Sequence, residues 1–496
     1  MFKDAANEHI NATMQQAMIA AVAFKQCTLT ERTALLKGIA AALESKRDLL
    51  LQTAERETNL SPARLHNELT RTIFQLNSYG AYCESAQWMD IRIDTALPER
   101  AAPRPDLRKT MIPLGPVVVF GAGNFPFAYS TAGGDTACAF AAGCPVIVKG
   151  HPAHAATSEL VANLISAIVE SLHLPVGVFA HLHGASLAVG EALVKHPFTR
   201  AVGFTGSFAG GKQLFDWGNE RKVPIPVFAE MSSVNPVFIL PGKLKESPTE
   251  TARMLAGSMT LSVGQFCTNP GVIVVFENDE LRTFVSTLIE ELAKVAPAKM
   301  LHEGIAKNFT DKKNLALSQE NVTEIPLAHA IHSDPLAAAP TLAGVSARHF
   351  IENRVLHGEV FGPYAIVVRC SSLAEMQEVA SVMEGQLTCT IMATSEEIQA
   401  QPKLLETITS VCGRLILNGV PTGVEVSLAM QHGGPFPSTT DSRFTSVGAD
   451  GIKRFARPIT YQNWPDNLLP EELRNENPRS IWRTINNRVS AGSVTF

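Results

Sequence analysis

The sequence predicts an α/β protein made of a doubly wound, parallel-sheet unit followed by a second α/β unit, and three observations carry that expectation. Short apolar, strand-like runs alternate with helical stretches between residues 116 and 204, the strand, helix, strand order of a parallel sheet. A second series of the same kind begins near Glu230. The chain of 496 residues is 45% apolar and 18% charged, enough for more than one buried core and too apolar for disorder.

From Asn7 to about Leu76 the chain is polar and helical, with Leu35, Ile39, Leu43 and Leu49 at helical spacing, which reads as helices covering a core. Residues 89–109 change to Ile91, Ile93 and Leu97 among charges, followed by Pro98, Pro103 and Pro105, the pattern of an exposed ribbon. Then follow a strand over 116–120, a helix over 131–142, a strand over 145–148, a helix over 157–171, a strand over 176–180, a helix over 185–195 and a strand over 200–204. Such a series is a dinucleotide-type domain. In the second unit a strand over 236–240 precedes Ser247-Pro248-Thr249-Glu250, a capping box opening a helix that carries Ala252, Leu255, Ala256 and Met259. Further strands are expected over 272–276, 365–368, 388–392 and 414–418. Residues 111–134 hold no charge, but their density of Pro and Gly opposes a membrane helix and fits buried strands between turns.

With 42 basic and 47 acidic residues the net charge is −5, so no positive field exists to hold nucleic acid or anionic lipid, and the expected partner is a small molecule. Eight cysteines without a C-x-x-C pair read as reduced thiols, not a disulfide scaffold. The N-terminal segment carries Lys3, Asp4, Glu8 and His9 without an apolar stretch, which is not a secretory signal, so a cytoplasmic location is expected. No metal site is expected, since His151-x-x-His154 lies in a loop without further nearby ligands.

Several residues can carry chemistry, each with a plainer alternative. Gly121-Ala122-Gly123-Asn124-Phe125-Pro126 fails as a dinucleotide fingerprint because Pro126 holds the third glycine's place; what remains is a turn whose Asn124 amide either just turns the chain or binds an oxyanion. Phe204-Thr205-Gly206-Ser207, with Gly211 beyond, either turns a strand into a helix or cradles a phosphate. Cys267 is a buried hydrophobe or a nucleophile. Glu230 follows an apolar run and is a paired carboxylate or a general base. Glu359-Val-Phe-Gly-Pro363 and Gln431-His-Gly-Gly-Pro435 are Gly-Pro loops, the second offering His432.

In their order along the chain, Asn124-Phe-Pro126, Val148-Lys149, Phe204-Thr-Gly-Ser207, Glu230, Gly264-Gln-x-Cys267 and Glu359-x-Phe-Gly-Pro363 resemble the NAD(P)-dependent aldehyde dehydrogenase superfamily over almost the whole chain. The resemblance implies a Rossmann-type cofactor domain (1–88 and 114–229), an α/β catalytic domain (230–436), a β-ribbon and C-terminal strand for oligomerisation (89–113 and 475–496, the strand near 488–496) and a segment linking back to the cofactor domain (437–474). It further implies Cys267 as the nucleophile that attacks an aldehyde, Asn124 and the Cys267 N–H as the oxyanion hole, and Glu230 as the base for thioester hydrolysis. Lys149 would meet the adenosine ribose, Gly206, Ser207 and Gly211 the pyrophosphate, and Glu359 and Phe361 the nicotinamide ribose and ring. A homodimer or homotetramer is implied.

Two departures refine this reading. Pro152 stands where many members carry a ribose-binding acid, which removes repulsion against a 2′-phosphate and favours NADP over NAD. The family's usual Asn-Pro-Phe-Gly-Gly loop is replaced by residues 432–448. With Gly150-His-Pro-Ala-His154 and Gln265-Phe-Cys-Thr-Asn-Pro270, that segment is similar to the branch of α-ketoglutaric semialdehyde (2,5-dioxopentanoate) dehydrogenases and a bacterial NADP-dependent fatty aldehyde dehydrogenase. The branch places His432 beside the thiol. The semialdehyde is the expected substrate and a broad or long-chain aldehyde the alternative; a catalytically silent protein on this fold would have lost Cys267, Glu230 or Asn124. Arg443 is either the partner of a substrate carboxylate or half of an ion pair.

Overall fold

The computed structural model describes residues 2–328 and 334–495. Helices Asn7–Phe24, Leu29–Ser45, Arg47–Thr58 and Pro62–Ser85 form the N-terminal layer, two of them started by side-chain caps, Thr28 with Glu31 as a reciprocal box and Ser61 ahead of Pro62. Leu35, Ile39 and Leu43 are fully buried, whereas Leu49 is 46% exposed. A new helix starts at Arg47 and resets the phase, so Leu50 takes the inward position.

The first sheet has five parallel strands in the order Phe179–Leu182, Val146–Lys149, Val117–Phe120, Ala201–Thr205, Val227–Glu230. The chain winds from Val117–Phe120 to one side, then returns to the other, so the strand order reverses between Val117–Phe120 and Ala201–Thr205. In doubly wound sheets ligands bind in the crevice outside the carboxyl ends at such a point. The strand expected over 176–180 runs over Phe179–Leu182 instead, because Gly177 turns the chain with φ +95° and leaves Val176 82% exposed. The helix expected from 131 begins at Gly134. The charge-free 111–134 stretch is core, with Val117 and Val118 fully buried, and among the described residues no helix is long and apolar enough to cross a membrane.

The second sheet has seven strands, Thr323–Ile325, Thr341–Ser346, Tyr364–Cys370, Val272–Phe276, Val237–Ile239, Gln386–Met392 and Cys412–Leu417 in spatial order, parallel except for the antiparallel first. Apolar clusters cover both faces, which explains strands that are apolar throughout rather than alternating. The capping box expected at Ser247 does not form: helix Pro248–Thr260 starts there, but Ser247 has ψ 58° rather than an extended value and its hydroxyl makes no bond.

The third sheet joins Ala456–Gln462, Leu107–Pro113, Arg92–Asp94, Arg483–Ile485 and Arg488–Ser490. Ribbon and C-terminal segment meet here, and the 437–474 segment adds an edge strand antiparallel to Leu107–Pro113. The expected C-terminal strand ends at Ser490; Phe496 lies outside the described residues.

Candidate active site

Cys267 sits on a loop of unusual backbone. After helix Pro248–Thr260 the chain passes through three successive left-handed residues, Ser262 (φ 48°), Val263 (φ 60°) and Gly264 (φ 64°). This conformation costs a side-chain-bearing residue roughly 1–2 kcal/mol, most for β-branched Val263. Gly264 is needed for a second reason: a Cβ there would lie 2.4 Å from the Gly362 carbonyl. That backbone-on-backbone contact seats the Glu359-x-Phe-Gly-Pro363 motif on the nucleophile loop. The strain is held by bonds from all sides. Asn235 Nδ2 donates to the carbonyls of Cys267 (2.9 Å) and Asn269 (3.0 Å), Gln265 Oε1 accepts from Leu301 N–H (3.0 Å), and Asn269 Nδ2 donates to the Gly362 carbonyl (3.1 Å).

Three distant segments converge on the thiol. Glu230 ends strand Val227–Glu230, and His432 comes from the replaced loop. His432 Nε2 lies 3.7 Å from Cys267 Sγ and 3.0 Å from Glu230 Oε1. The Ser446 hydroxyl donates to Glu230 Oε2 at 2.6 Å. The ligand atoms of Glu230, Cys267 and His432 all lie within 4.8 Å of one another, a proximity that residues so far apart in sequence cannot announce by spacing. Burial pushes the Cys267 thiol well above its ordinary range and the Glu230 carboxylate pushes the same way, so the free thiol is protonated at neutral pH. Glu230 is buried too, which raises its pKa, but His432, Ser446 and Cys267 together outweigh burial and hold it below the usual value. The site therefore pairs a neutral thiol with an ionised carboxylate, linked through an imidazole.

Asn124 follows strand Val117–Phe120, and its Nδ2 donates at 3.2 Å to the carbonyl of Gln265, two residues before Cys267. Arg64 lies over Phe125 (4.3 Å) and Phe266 (4.9 Å) and donates to the Asn124 carbonyl, fixing the turn against the nucleophile loop.

A second group lines the carboxyl edge of the five-stranded sheet. Ser207 caps helix Phe208–Asn219, accepting from Gly210 N–H at 3.2 Å. Gly206 N–H bonds the Glu230 carbonyl, and a Cβ on Gly211 would meet Met231 Cγ at 2.6 Å, so that helix start packs against the next strand only with glycine. Lys149 ends its strand, and burial lowers its pKa while Asp4 opposes. Glu359 and Phe361 line a cavity with Ser233, Phe266 and Asn269; burial pushes Glu359 up to about 7 against a Ser232 hydroxyl bond.

The structure separates Arg443 from this centre: its side chain is 80% exposed and bound to Asp441, so the ion-pair alternative holds. The His151 and His154 rings stack at 5.4 Å and the His302 ring lies 6.1 Å from His151; the three are not drawn together as ligands, and His154 Nε2 is taken by the Ala122 carbonyl. Sequence reading missed Asn235 and Ser446, which act by bonding the nucleophile loop and Glu230, and it missed Tyr129, Arg71 and Arg414 around the thiol. None has a local motif. Ser446 lay inside the replaced 432–448 loop, Tyr129 inside the charge-free 111–134 stretch and Arg414 at the start of the 414–418 strand, each without a signal for its role.

The chain belongs to the aldehyde dehydrogenase family, whose profile matches residues 1–458. It is 43% identical over 484 residues to the alpha-ketoglutaric semialdehyde dehydrogenase 2 of Azospirillum brasilense, covering 97% of this chain and 92% of that one. It is 40% identical over 496 residues to the alpha-ketoglutaric semialdehyde dehydrogenase of Acinetobacter baylyi, covering 98% and 92%. Among solved structures its fold is similar to that of glyceraldehyde-3-phosphate dehydrogenase GapN from Methanocaldococcus jannaschii complexed with NADP, with a TM-score of 0.78 at 19% identity over 93% of this chain and 95% of that one.

Proposed function

We propose that this aldehyde dehydrogenase oxidises α-ketoglutaric semialdehyde (2,5-dioxopentanoate) to 2-oxoglutarate with NADP in preference to NAD, as a cytoplasmic homodimer or homotetramer. The two relatives at 43% and 40% identity support the substrate. The observation that carries the chemistry is the Cys267, His432, Glu230 cluster, with 3.7 Å and 3.0 Å between its members.

His432 Nε2 takes the Cys267 proton as Sγ bonds the aldehyde carbon, and Glu230 stabilises the imidazolium. The carbonyl π pair moves onto oxygen, where the Asn124 amide and the Cys267 N–H meet the developing charge. When bound, the dinucleotide supplies the acceptor for the hydride that leaves the same carbon, making a thioester. Glu230 then takes a proton from water as the water oxygen bonds the acyl carbon; the C–S bond breaks, His432 returns its proton to sulfur, the acid leaves, and Glu230 releases its proton to solvent and is ionised again.

The residues at the sheet edge suit a dinucleotide. The N-terminus of helix Phe208–Asn219, capped by Ser207 and with Gly211 packed against Met231, suits a pyrophosphate through the positive end of its dipole, and Glu359 and Phe361 lie next to the thiol loop through Gly362. The segment Lys149-Gly-His-Pro-Ala-His154 holds no acid to repel a 2′-phosphate, which supports NADP.

Initial rates for 2,5-dioxopentanoate and decanal, each with NAD and NADP, test the reading. The semialdehyde should be preferred by at least about 100-fold in kcat/KM, and NADP over NAD by a smaller factor. A preference for decanal overturns the substrate, and a preference for NAD overturns the cofactor.

A further inference from the structure

We propose that Arg71, together with Arg414, is the site that holds the substrate's carboxylate while Cys267 attacks the far aldehyde. This rests on the reading above that the substrate is an acid bearing a distant aldehyde.

Arg71 lies two turns beyond Arg64 on helix Pro62–Ser85, so both project along one face, and Arg64 already sits over Phe266 beside the nucleophile. Arg71 lies over the Tyr129 ring at 5.4 Å, and that ring is 6.5 Å from the His432 ring, whose Nε2 is 3.7 Å from Sγ. Its charge is close enough to draw the Cys267 thiol down against the larger effects of burial and Glu230.

Its own bonding is incomplete. Nη2 reaches the Tyr129 hydroxyl at 3.4 Å and the Val424 carbonyl at 3.5 Å, both long, while Nη1 is buried without a partner. Arg414 repeats the pattern on the same 421–424 stretch: it donates to the carbonyls of Gly423 (3.0 Å) and Pro421 (2.6 Å), its Nε is buried and unbonded, and its charge interacts with Cys267. Among the described residues neither arginine has a carboxylate within ion-pair distance, and the acid on the Arg71 helix, Glu68, is engaged by Arg64 at 2.8 Å and by the N–H groups of Phe127 and Ala128.

Two sheltered guanidiniums beside a nucleophile, neither in ion-pair contact with a carboxylate among the described residues, call for an anion, and a planar fork with an open N–H suits a carboxylate. An alkyl aldehyde would bring its tail against the same cations without compensating them.

The test is the ratio of kcat/KM for 2,5-dioxopentanoate to that for pentanal, which has the same carbon count and no carboxylate. In Arg71→Met the ratio should fall about 10- to 100-fold, mostly through KM. Arg71→Lys, which keeps charge but loses the fork, should fall only severalfold and carries the test if the methionine variant does not fold. A ratio shifted less than about threefold in these variants overturns the proposal. A wild-type enzyme that does not prefer 2,5-dioxopentanoate overturns the substrate reading instead, so the two failures are distinguishable.

Discussion

The carboxyl edge of the five-stranded sheet and the surroundings of Cys267 lie side by side yet are built differently. At the sheet edge, main-chain turns and glycines do the work: Gly206, Ser207 and Gly211 lie close together in sequence around one helix start. Around the thiol, side chains from far-apart segments meet, with Glu230 separated by 216 residues from Ser446 and Cys267 by 165 from His432. A backbone cradle recurs wherever a strand turns into a helix, whereas a side-chain cluster exists only if the whole chain folds around it.

That contrast can be broken by substitution. Cys267→Ala should have the largest effect: kcat falls on the order of 10⁴-fold or more, while dinucleotide binding, followed by fluorescence titration, persists. Residual activity near the wild-type level would remove the thiol from the mechanism. Gly211→Ala tests the other region, where the added Cβ would meet Met231. The dinucleotide KM should rise about tenfold with a smaller change in kcat, since shifting a packed helix start costs roughly 1–3 kcal/mol. An unchanged KM would show that the helix start plays no part in binding.

The smallest effect sits where the regions join. Glu359, pushed up to about 7 by burial, is neutral below that pH and a carboxylate above it. A carboxylate accepts hydrogen bonds more strongly than its acid, so the dinucleotide KM should fall severalfold from about pH 6 to pH 8. Glu359→Gln should flatten that profile; if it does not, another group titrates.

The same difference explains what could be read in advance. The strands expected over 272–276 and 116–120 follow from apolar β-branched runs and form at Val272–Phe276 and Val117–Phe120. The capping box at Ser247 fails because the same residue closes helix Pro241–Glu246, its N–H bonding the Lys243 carbonyl, and stands at ψ 58° instead of an extended value. The motifs around Cys267 and Glu230 were legible singly, and their order along the chain carried the family resemblance. Arg443 drew attention as a charged residue in a suggestive segment, but its neighbour Asp441 binds it, while Arg71 sat unremarked in an ordinary amphipathic helix.

By itself the sequence determined the elements, the glycines that let backbone approach backbone, and the residue types available for nucleophile, base and oxyanion donor, because these depend on local sterics and intrinsic chemistry. Only the tertiary structure decided that Cys267 is a protonated thiol, that Glu230 beside it is ionised, that Ser446 and Asn235 hold the site, and that Arg443 is paired with Asp441 while Arg71 lies near the thiol. Burial and distance between remote residues set those properties, and neither is written in any single stretch of chain.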